Sequence, residues 1–167
     1  MVGITQFGDH SILRSGNHRS DDKYKFLGAV SNPRDGCVYL VPSDADRVVQ
    51  VDPINLSVRE IGPSLTRYEP MRNNKWQNGF LSVLDNSLYA IPLKGQTVLR
   101  VEMPNSSLDV LEKQDPSVMT IGGLFTGLNK WEGGVMAHNG TMYCMPLNHK
   151  AVLKISPQSH VHESSNL

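Results

Sequence analysis

The sequence predicts an all-β fold made of several similar sheets, and three observations lead to this prediction. One sequence pattern recurs three times. Its tyrosines, Tyr39, Tyr89 and Tyr143, lie roughly 50 residues apart, which is typical of repeat architectures. Within each repeat the apolar residues form short runs bounded by Gly, Pro, Asn and Asp, as strands do. The sequence contains no convincing helical periodicity.

Each repeat opens with a lysine followed by an aromatic residue. These pairs, each preceding a first strand, are Lys25-Phe26, Lys75-Trp76 and Lys130-Trp131. Because the aromatic residue recurs at one position, we expect it to pack between neighbouring sheets. For the lysine there are two interpretations: contact with an anionic ligand, or a solvated turn lysine whose stem packs on the adjacent ring.

A turn and a second strand follow. The turn pairs, which tolerate the positive φ of tight hairpins, are Asp35-Gly36, Asp85-Asn86 and Asn139-Gly140. The second strand carries the recurring tyrosine and ends at a proline, which lacks the N–H needed for pairing. The tyrosine and the apolar residue two positions later share one strand face, so we expect both in the core, with the phenol oxygen bonded to a partner.

Third strands are predicted at 48–52, 98–102 and 152–156, and weaker fourth strands at 57–61 and 108–111. The stretch 112–129 contains Pro116 and three glycines, so we expect a loop there. Four antiparallel strands in about 45–55 residues form the unit of a β-propeller blade. We therefore predict about three four-stranded antiparallel blades.

The predicted domain organisation is blade 1 at 25–74, blade 2 at 75–129 and blade 3, with three strands, at 130–157. The N-terminal segment, 1–24, contains a strand at 4–8 that we expect to complete a blade, and 158–167 is predicted to be a disordered tail. Propellers typically have about four to eight blades, so this is a partial or half propeller. Either the missing blades belong to a longer chain, or a homodimer completes a six-bladed ring, which would remove exposed sheet edges.

The repeats resemble those of β-propeller proteins with the pattern K-W-x-G-G, then N-G-x-[IM]-Y-x-[IM]-P, then V-L-x-I-x-P. The third repeat matches best, the second departs at Asn78 and Ser87, and the first has Phe26 for tryptophan. The resemblance is broadly kelch-like or quinoprotein-like and covers residues 25–157, although the double-glycine strand of true kelch repeats is missing. It implies a propeller fold, and many such proteins have no assigned activity.

Composition limits the classes of function. The 16 basic and 16 acidic residues cancel, so the charge signature of a nucleic-acid binder is missing. No apolar stretch approaches the roughly 18–20 residues that span a bilayer. Cys37 and Cys144 have no metal or redox spacing, and we expect buried free thiols in a reducing, cytoplasmic compartment.

No catalytic, cofactor-binding or metal-binding residue is assigned, because the sequence has no nucleophile elbow, no phosphate-binding glycine motif and no zinc spacing. By analogy with other propellers, ligands meet the connections between second and third strands and the loops between blades. Candidate interaction residues there are Asp44, Asp46, Arg67, Tyr68, Arg72, Lys94, Leu124, Phe125, His149 and Lys150.

These observations favour a non-catalytic propeller that acts as a scaffold or presents loops to a protein partner. The alternative is a small-molecule-binding or hydrolytic propeller enzyme whose axial site is completed by other blades or by a second copy. Whether the chain is an enzyme stays open, with the balance against it, because a fold alone does not supply a site.

Overall fold

The computed structural model describes residues 24–104 and 115–157 in full, and residues 2–4 and 10–12 through their backbone alone. Within these ranges the chain forms strands, turns and one short 3₁₀ turn at Leu65–Arg67, with no α-helix. The all-β prediction is therefore confirmed for the described part of the chain.

Three antiparallel sheets follow one another in chain order. Sheet 1 contains β3 (Phe26–Ser31), β4 (Val38–Pro42), β5 (Val48–Asp52) and β6 (Ser57–Ile61). Sheet 2 contains β7 (Trp76–Ser82), β8 (Ser87–Pro92), β9 (Val98–Glu102) and β10 (Ser117–Ile121). Sheet 3 contains β11 (Trp131–Met136), β12 (Met142–Pro146) and β13 (Leu153–Ile155). Each sheet is a simple meander, in which every strand pairs with the next along the chain.

The hairpin turns have the backbone geometry that the sequence predicts. The second residue of each turn pair has a positive φ: +71° at Gly36, +47° at Asn86 and +80° at Gly140. Glycine and asparagine tolerate this left-handed region better than other residues do. In all three sheets the recurring tyrosine pairs with the residue four positions after the aromatic residue: Val30↔Tyr39, Phe80↔Tyr89 and Val135↔Tyr143.

A bulge interrupts the first strand of every sheet, after the recurring aromatic residue. Gly28, Asn78 and Gly133 have positive φ values of +106°, +58° and +71°. The departure of Asn78 from the glycine pattern is thus conservative, since asparagine also adopts the left-handed conformation. Before the bulge the aromatic residue pairs with the proline of the second strand, and after the bulge the regular ladder resumes.

The fourth strand of sheet 2 differs from the prediction. It is β10, which pairs with β9 from Ser117↔Glu102 to Ile121↔Val98 and lies inside the stretch expected to be a loop. The run Ser117–Ile121 contains three β-branched residues, Val118, Thr120 and Ile121, which favour a strand. The proline and glycines on either side favoured a loop, and the prediction followed them. The strand expected at 108–111 lies outside the described residues.

At the N-terminus, β1 (Val2–Ile4) and β2 (His10–Ile12) pair as an antiparallel hairpin. The predicted strand 4–8 includes the last residue of β1, while residues 5–8 lie outside the described residues. Its proposed role in completing a blade stays a prediction. The tail at 158–167 also lies outside the described residues.

The core consists of two layers, one on each side of sheet 2. The first layer lies between sheets 1 and 2 and the second between sheets 2 and 3. Trp76 is fully buried in the first layer and Trp131 is 2% exposed in the second, which confirms that these aromatic residues pack between sheets. Sheet 2 therefore buries both of its faces, and sheets 1 and 3 each bury one face against it.

Two glycines allow the packing between sheets 1 and 2 to be tested separately from backbone strain. Both Gly28→Ala and Gly36→Ala place a side chain at positive φ, which costs about 1–2 kcal/mol. A Cβ at residue 28 would meet the Asn78 Cα at 2.8 Å, whereas one at residue 36 meets nothing within 4 Å. We expect Gly28→Ala to lose about 1–3 kcal/mol more in urea unfolding, because overpacking adds to strain. Equal losses would show that the close approach at Gly28 does not hold the sheets together.

Candidate functional site

The connections between second and third strands and the loops between sheets lie at one end of the structure, here called the loop end. Backbone hydrogen bonds bring them together: the Leu65 N–H donates to the Asp46 carbonyl at 2.9 Å, and the Phe125 N–H donates to the Gln96 carbonyl at 2.7 Å. Each inter-sheet loop therefore lies against the connection of the sheet before it.

Asp44 and Asp46 both act on the loop that joins sheets 1 and 2. Asp44 Oδ1 accepts from the Asn74 N–H at 2.6 Å, and Asp46 Oδ1 accepts from the Thr66 N–H at 3.0 Å. These carboxylates satisfy backbone donors that strand pairing leaves free. Their position at the loop end agrees with the prediction, and the contacts give them a structural role there.

Glu69 is a buried acid that sequence reasoning missed. Its side chain is 1% exposed, and Oε2 accepts from the Gln96 N–H and the Thr97 hydroxyl, both at 2.9 Å. Oε1 accepts from the Met71 N–H at 3.1 Å. The carboxylate thus ties the inter-sheet loop to the β8–β9 connection. This role of Glu69 could not be predicted from the sequence, because its loop lies outside the repeated sequence pattern.

The other candidate residues divide into exposed and packed ones. Arg67, Tyr68 and Leu124 are exposed, Tyr68 by 52% and Leu124 by 75%. Arg72 is exposed too, yet its guanidinium donates to the Glu69 carbonyl at 2.9 Å. Lys94 is half-buried and Lys150 is exposed.

Phe125 and His149 both pack on Trp131. Phe125 meets the Trp131 ring edge-on at 5.2 Å between centroids, and the His149 ring lies 4.4 Å from it. The Ala151 N–H also donates to His149 Nδ1 at 3.2 Å. These two side chains therefore cover the aromatic residue of sheet 3, and we assign their contacts to packing.

The recurring lysine has a role that both sequence interpretations missed. Lys75 and Lys130 are 3% and 1% exposed, so they are not solvated turn lysines. The Lys75 ammonium donates to the Ser43 and Ala45 carbonyls at 2.7 and 2.8 Å. The Lys130 ammonium donates to the Leu93 and Gly127 carbonyls at 3.3 and 3.0 Å. In each case the lysine of one sheet binds carbonyl oxygens of the connection or loop that precedes it.

The backbone strengthens the same junction. The Lys75 N–H donates to the Ser43 carbonyl at 3.1 Å, and the Lys130 N–H donates to the Leu93 carbonyl at 2.8 Å. One carbonyl, directly after the proline of the preceding sheet, thus accepts both the backbone and the side chain of the next lysine. We call this arrangement the lysine junction.

The recurring tyrosines form a second repeated contact. The Tyr39 hydroxyl donates to Asp35 Oδ2, and the Tyr89 hydroxyl donates to Asp85 Oδ2, each at 2.5 Å. Burial, followed by the hydrogen bond to the aspartate, raises the pKa of both phenols. The prediction of a buried tyrosine with a bonded phenol oxygen is confirmed for these two.

In sheet 3 the equivalent side chains are exposed. Tyr143 is 39% exposed and Met145 is 56% exposed, so the prediction that they lie in the core is wrong. Val135 and Val152, on the same face, are 62% and 56% exposed. We call these four residues the open face of sheet 3. No described element packs against this face, which explains the difference from sheets 1 and 2.

Both cysteines are free and buried, as predicted: Cys37 is 6% exposed and Cys144 is fully buried. Burial raises the pKa of the Cys144 thiol to about 11. In the fully described ranges, 24–104 and 115–157, no three His, Cys, Asp or Glu side chains gather as a metal site would require. The described part of the chain also has no helix long and apolar enough to cross a membrane.

Comparison with known proteins shows a similarity in fold. No known protein family and no curated protein matches the sequence. Among solved structures, a virginiamycin B lyase from Staphylococcus aureus superposes with a TM-score of 0.60 at 12% identity, over 92% of this chain and 47% of that one. An auxiliary nutrient binding protein from Bacteroides thetaiotaomicron superposes with a TM-score of 0.55 at 13% identity, over 79% of this chain and 34% of that one.

The chain is built of β-propeller blades. Sheets 1, 2 and 3 are blades 1, 2 and 3 of a partial propeller, which confirms the predicted fold class. The kelch-like type of repeat stays a prediction. The chain spans less than half the length of these two neighbours.

The buried tyrosine–aspartate contact predicts a difference between blades. Tyr89→Phe removes one of two donors to Asp85 Oδ2, which still accepts from Arg100 at 3.2 Å, and a hydrogen bond to a charged group contributes about 1.5–3 kcal/mol. Tyr143→Phe is the matched control, because that tyrosine is exposed and its repeat has Asn139 in place of the aspartate. We expect the control to change the free energy of unfolding by less than about 0.5 kcal/mol. Equal losses in urea unfolding would contradict a special role for the contact.

The lysine junction predicts a pH dependence of stability. Burial lowers the pKa of Lys75 from 10.5 to about 8, although Asp44, Asp46 and Glu69 partly oppose the shift. Above about pH 8 the unfolded chain binds more protons at this lysine than the folded chain does, so its contribution to stability rises with pH towards 10.5.

We therefore expect the free energy of unfolding of the native chain, minus that of Lys75→Met, to rise between pH 8 and 10. Urea unfolding at closely spaced pH values measures this difference. Lys154→Met, at an exposed lysine, is measured in parallel as the matched control. A flat difference for Lys75→Met would show that its ammonium is not desolvated.

Proposed function

We propose that this chain is a non-catalytic propeller module for protein interaction, and that the open face of blade 3 is its principal binding surface. The observation that supports the proposal is that Val135, Tyr143, Met145 and Val152 are 39–62% exposed on one sheet face. Leu147, next to them at the loop end, is 52% exposed. Contiguous apolar surface of this kind marks interaction sites in soluble proteins.

The composition of the face fits a protein partner. Tyrosine and methionine are enriched in the centres of protein interfaces. Tyrosine also buries a large area at low entropic cost. Lys154 pairs with Tyr143 across β12 and β13 and so lies beside the apolar residues. The face therefore combines an apolar centre with a polar group at its side, as interfaces do.

The loop end supplies a second surface. Tyr68, Leu124 and Leu128 are 52–75% exposed on the two inter-blade loops, and backbone hydrogen bonds fix those loops against the preceding connections. A loop whose backbone is already fixed loses little backbone entropy on binding. This supports Tyr68 and Leu124, two of the candidates named from the sequence, as contacts for a partner, and together with Leu128 we propose them as the secondary surface.

The enzymatic alternative stays a prediction. A lyase is among the proteins of similar fold, but identity of 12% supports fold and carries no activity. Asp44, Asp46 and Glu69, at the loop end, accept hydrogen bonds from backbone N–H groups, and Glu69 also accepts from the Thr97 hydroxyl. These contacts favour a structural role for them over convergence on a ligand.

The binding surface can be tested with a photo-reactive amino acid placed at residue 145, in the centre of the open face. We expect irradiation in cells to join the chain covalently to a protein, visible as an adduct of higher mass. The probe responds to proximity, so it captures whichever protein covers the face and the mass of the adduct then identifies that protein's size.

Residue 54 is the matched control position. Ile54 is 81% exposed, but it lies in the β5–β6 turn, at the opposite end of its strand from the loop end. We expect no specific adduct there. Adducts of equal yield at both positions, or none at residue 145, would refute the open face as the binding surface.

A further inference from the structure

We propose that the open face of blade 3 binds a partner strand of defined pattern: a lysine, an aromatic residue, any two residues and a glycine. The proposal rests on the proposed function, because it names the protein chemistry that the same face recognises. The lysine of the partner strand donates to the Leu147 carbonyl, and its glycine lies against Val135. Its aromatic residue packs beside Tyr143 and Met145.

The open face has the pattern of two faces that are buried inside the chain. In blades 1 and 2, the tyrosine of the second strand and the residue two positions later are at most 4% exposed, because the next blade covers them: Tyr39, Val41, Tyr89 and Ile91. Their equivalents in blade 3, Tyr143 and Met145, are 39% and 56% exposed. The open face therefore continues an interface that the chain forms twice, and the covering blade at those two interfaces shows what fits the third.

The junction carbonyl recurs at the same place in each blade, directly after the proline that ends the second strand. The Ser43 and Leu93 carbonyls each accept both the N–H and the ammonium of the next blade's lysine. Leu147 is the equivalent residue of blade 3, and its N–H bonds to the carbonyl of its own blade's lysine, as in the other two blades. No group in the described ranges donates to the Leu147 carbonyl. This acceptor therefore matches the lysine of a partner.

A lysine and an aromatic residue meet the repeated face at both interfaces within the chain. Lys75 and Lys130 supply the ammonium groups of the two junctions. The tryptophans that follow them, Trp76 and Trp131, are 0% and 2% exposed. Each tryptophan packs in the same apolar cluster as the tyrosine of the preceding blade. The element that fits the open face therefore begins with a lysine followed by an aromatic residue.

A glycine three positions after the aromatic residue lets the covering strand approach closely. A Cβ on Gly79 would lie 3.5 Å from Val30 Cγ2 of blade 1, and one on Gly134 would lie 3.0 Å from the ring of Phe80 in blade 2. Each Cβ would also crowd a carbonyl oxygen of its own blade, at 2.9 and 2.6 Å. Val135 is the equivalent of Val30 and Phe80 in strand register. The residue that lies against it is therefore a glycine, whose backbone approaches with no side chain between.

A second copy of the chain does not supply this pattern. Two segments of the chain carry it, 75–79 and 130–134, and both are already buried against the preceding blade, with their lysines 3% and 1% exposed. The remaining lysine that opens a blade, Lys25, has Ala29 at the glycine position. The occupant of the open face is therefore a strand other than those described in this chain.

The photo-reactive amino acid at residue 145 tests the proposal when the partner residues of the adduct are sequenced. Cells that contain the full chain are irradiated, the lysate is treated with an amine-acetylating reagent, and the digested adduct is analysed by mass spectrometry. We expect the partner segment joined to residue 145 to contain the pattern of lysine, aromatic residue, two residues and glycine. Its lysine should be acetylated at least about tenfold less than in an adduct that is denatured before treatment, because a junction lysine is protected.

The other outcomes overturn the proposal. A partner segment without the pattern, or a lysine acetylated equally in native and denatured adducts, leaves the proposed function standing and refutes recognition of this pattern. An adduct between two copies of the chain has the same meaning. The absence of any adduct at residue 145 refutes the proposed function as well.

Two variants at Val135 test the glycine separately. Val135→Phe reproduces the Phe80 side chain, which Gly134 accommodates between blades 2 and 3. We expect this variant to keep the adduct yield within about twofold, as neutral surface substitutions do. Val135→Glu places an unpaired charge at the same buried contact and should lower the yield at least about tenfold. Loss of the adduct with Val135→Phe, or its retention with Val135→Glu, would show that no close-fitting strand covers this residue.

Discussion

The lysine junction is the interaction on which the rest of the described structure depends. An ammonium group is costly to remove from water, yet Lys75 and Lys130 are almost fully buried at the boundaries between blades. Each is retained because two carbonyl oxygens of the preceding blade or loop accept its protons. Two of those carbonyls, Ser43 and Leu93, directly follow the proline that ends a second strand, and each also accepts the backbone N–H of the same lysine. The junction therefore satisfies the groups at both sides of the boundary, and it sets the position at which the next blade begins.

The position of the lysine junction also determines where the apolar layers between the blades begin. The residue after each junction lysine is an aromatic that enters the layer between blades, and the bulge that follows turns the strand back into its ladder. The tyrosine–aspartate contact then holds the other end of the same face, where the hairpin turns. A blade is thus tied to its neighbour at the loop end and braced internally at the turn end. Apolar burial between the two supplies the non-directional part of the stability.

Much of the fold was predictable because its causes are local. Asp35-Gly36 and the equivalent pairs predict the hairpin turn. The two-residue spacing of Tyr39 and Val41 predicts that both side chains lie on one strand face. The role of Lys75 was not predictable, because its partners are carbonyls about 30 residues away, and any residue type can supply a carbonyl. Glu69 was missed for a related reason, since its partners are backbone and hydroxyl groups of the next connection. Strand β10 was missed because nearby glycines and a proline outweighed a short β-branched run.

The proposed principal binding surface is the open face of blade 3, whereas the sequence patterns pointed to the loops. Sequence patterns favour polar loop residues as contacts, but Asp44 and Asp46 turn out to be bonded to backbone groups of their own chain. Tyr143 and Met145 were assigned to the core by the pattern that they share with buried residues, but both are exposed in blade 3. What the pattern could not state is whether a neighbouring blade covers this face, and no described element does. The open face has the pattern of the buried faces between blades, yet it exposes valine and methionine side chains to water. This exposure is the reason for which we propose a protein partner for the face.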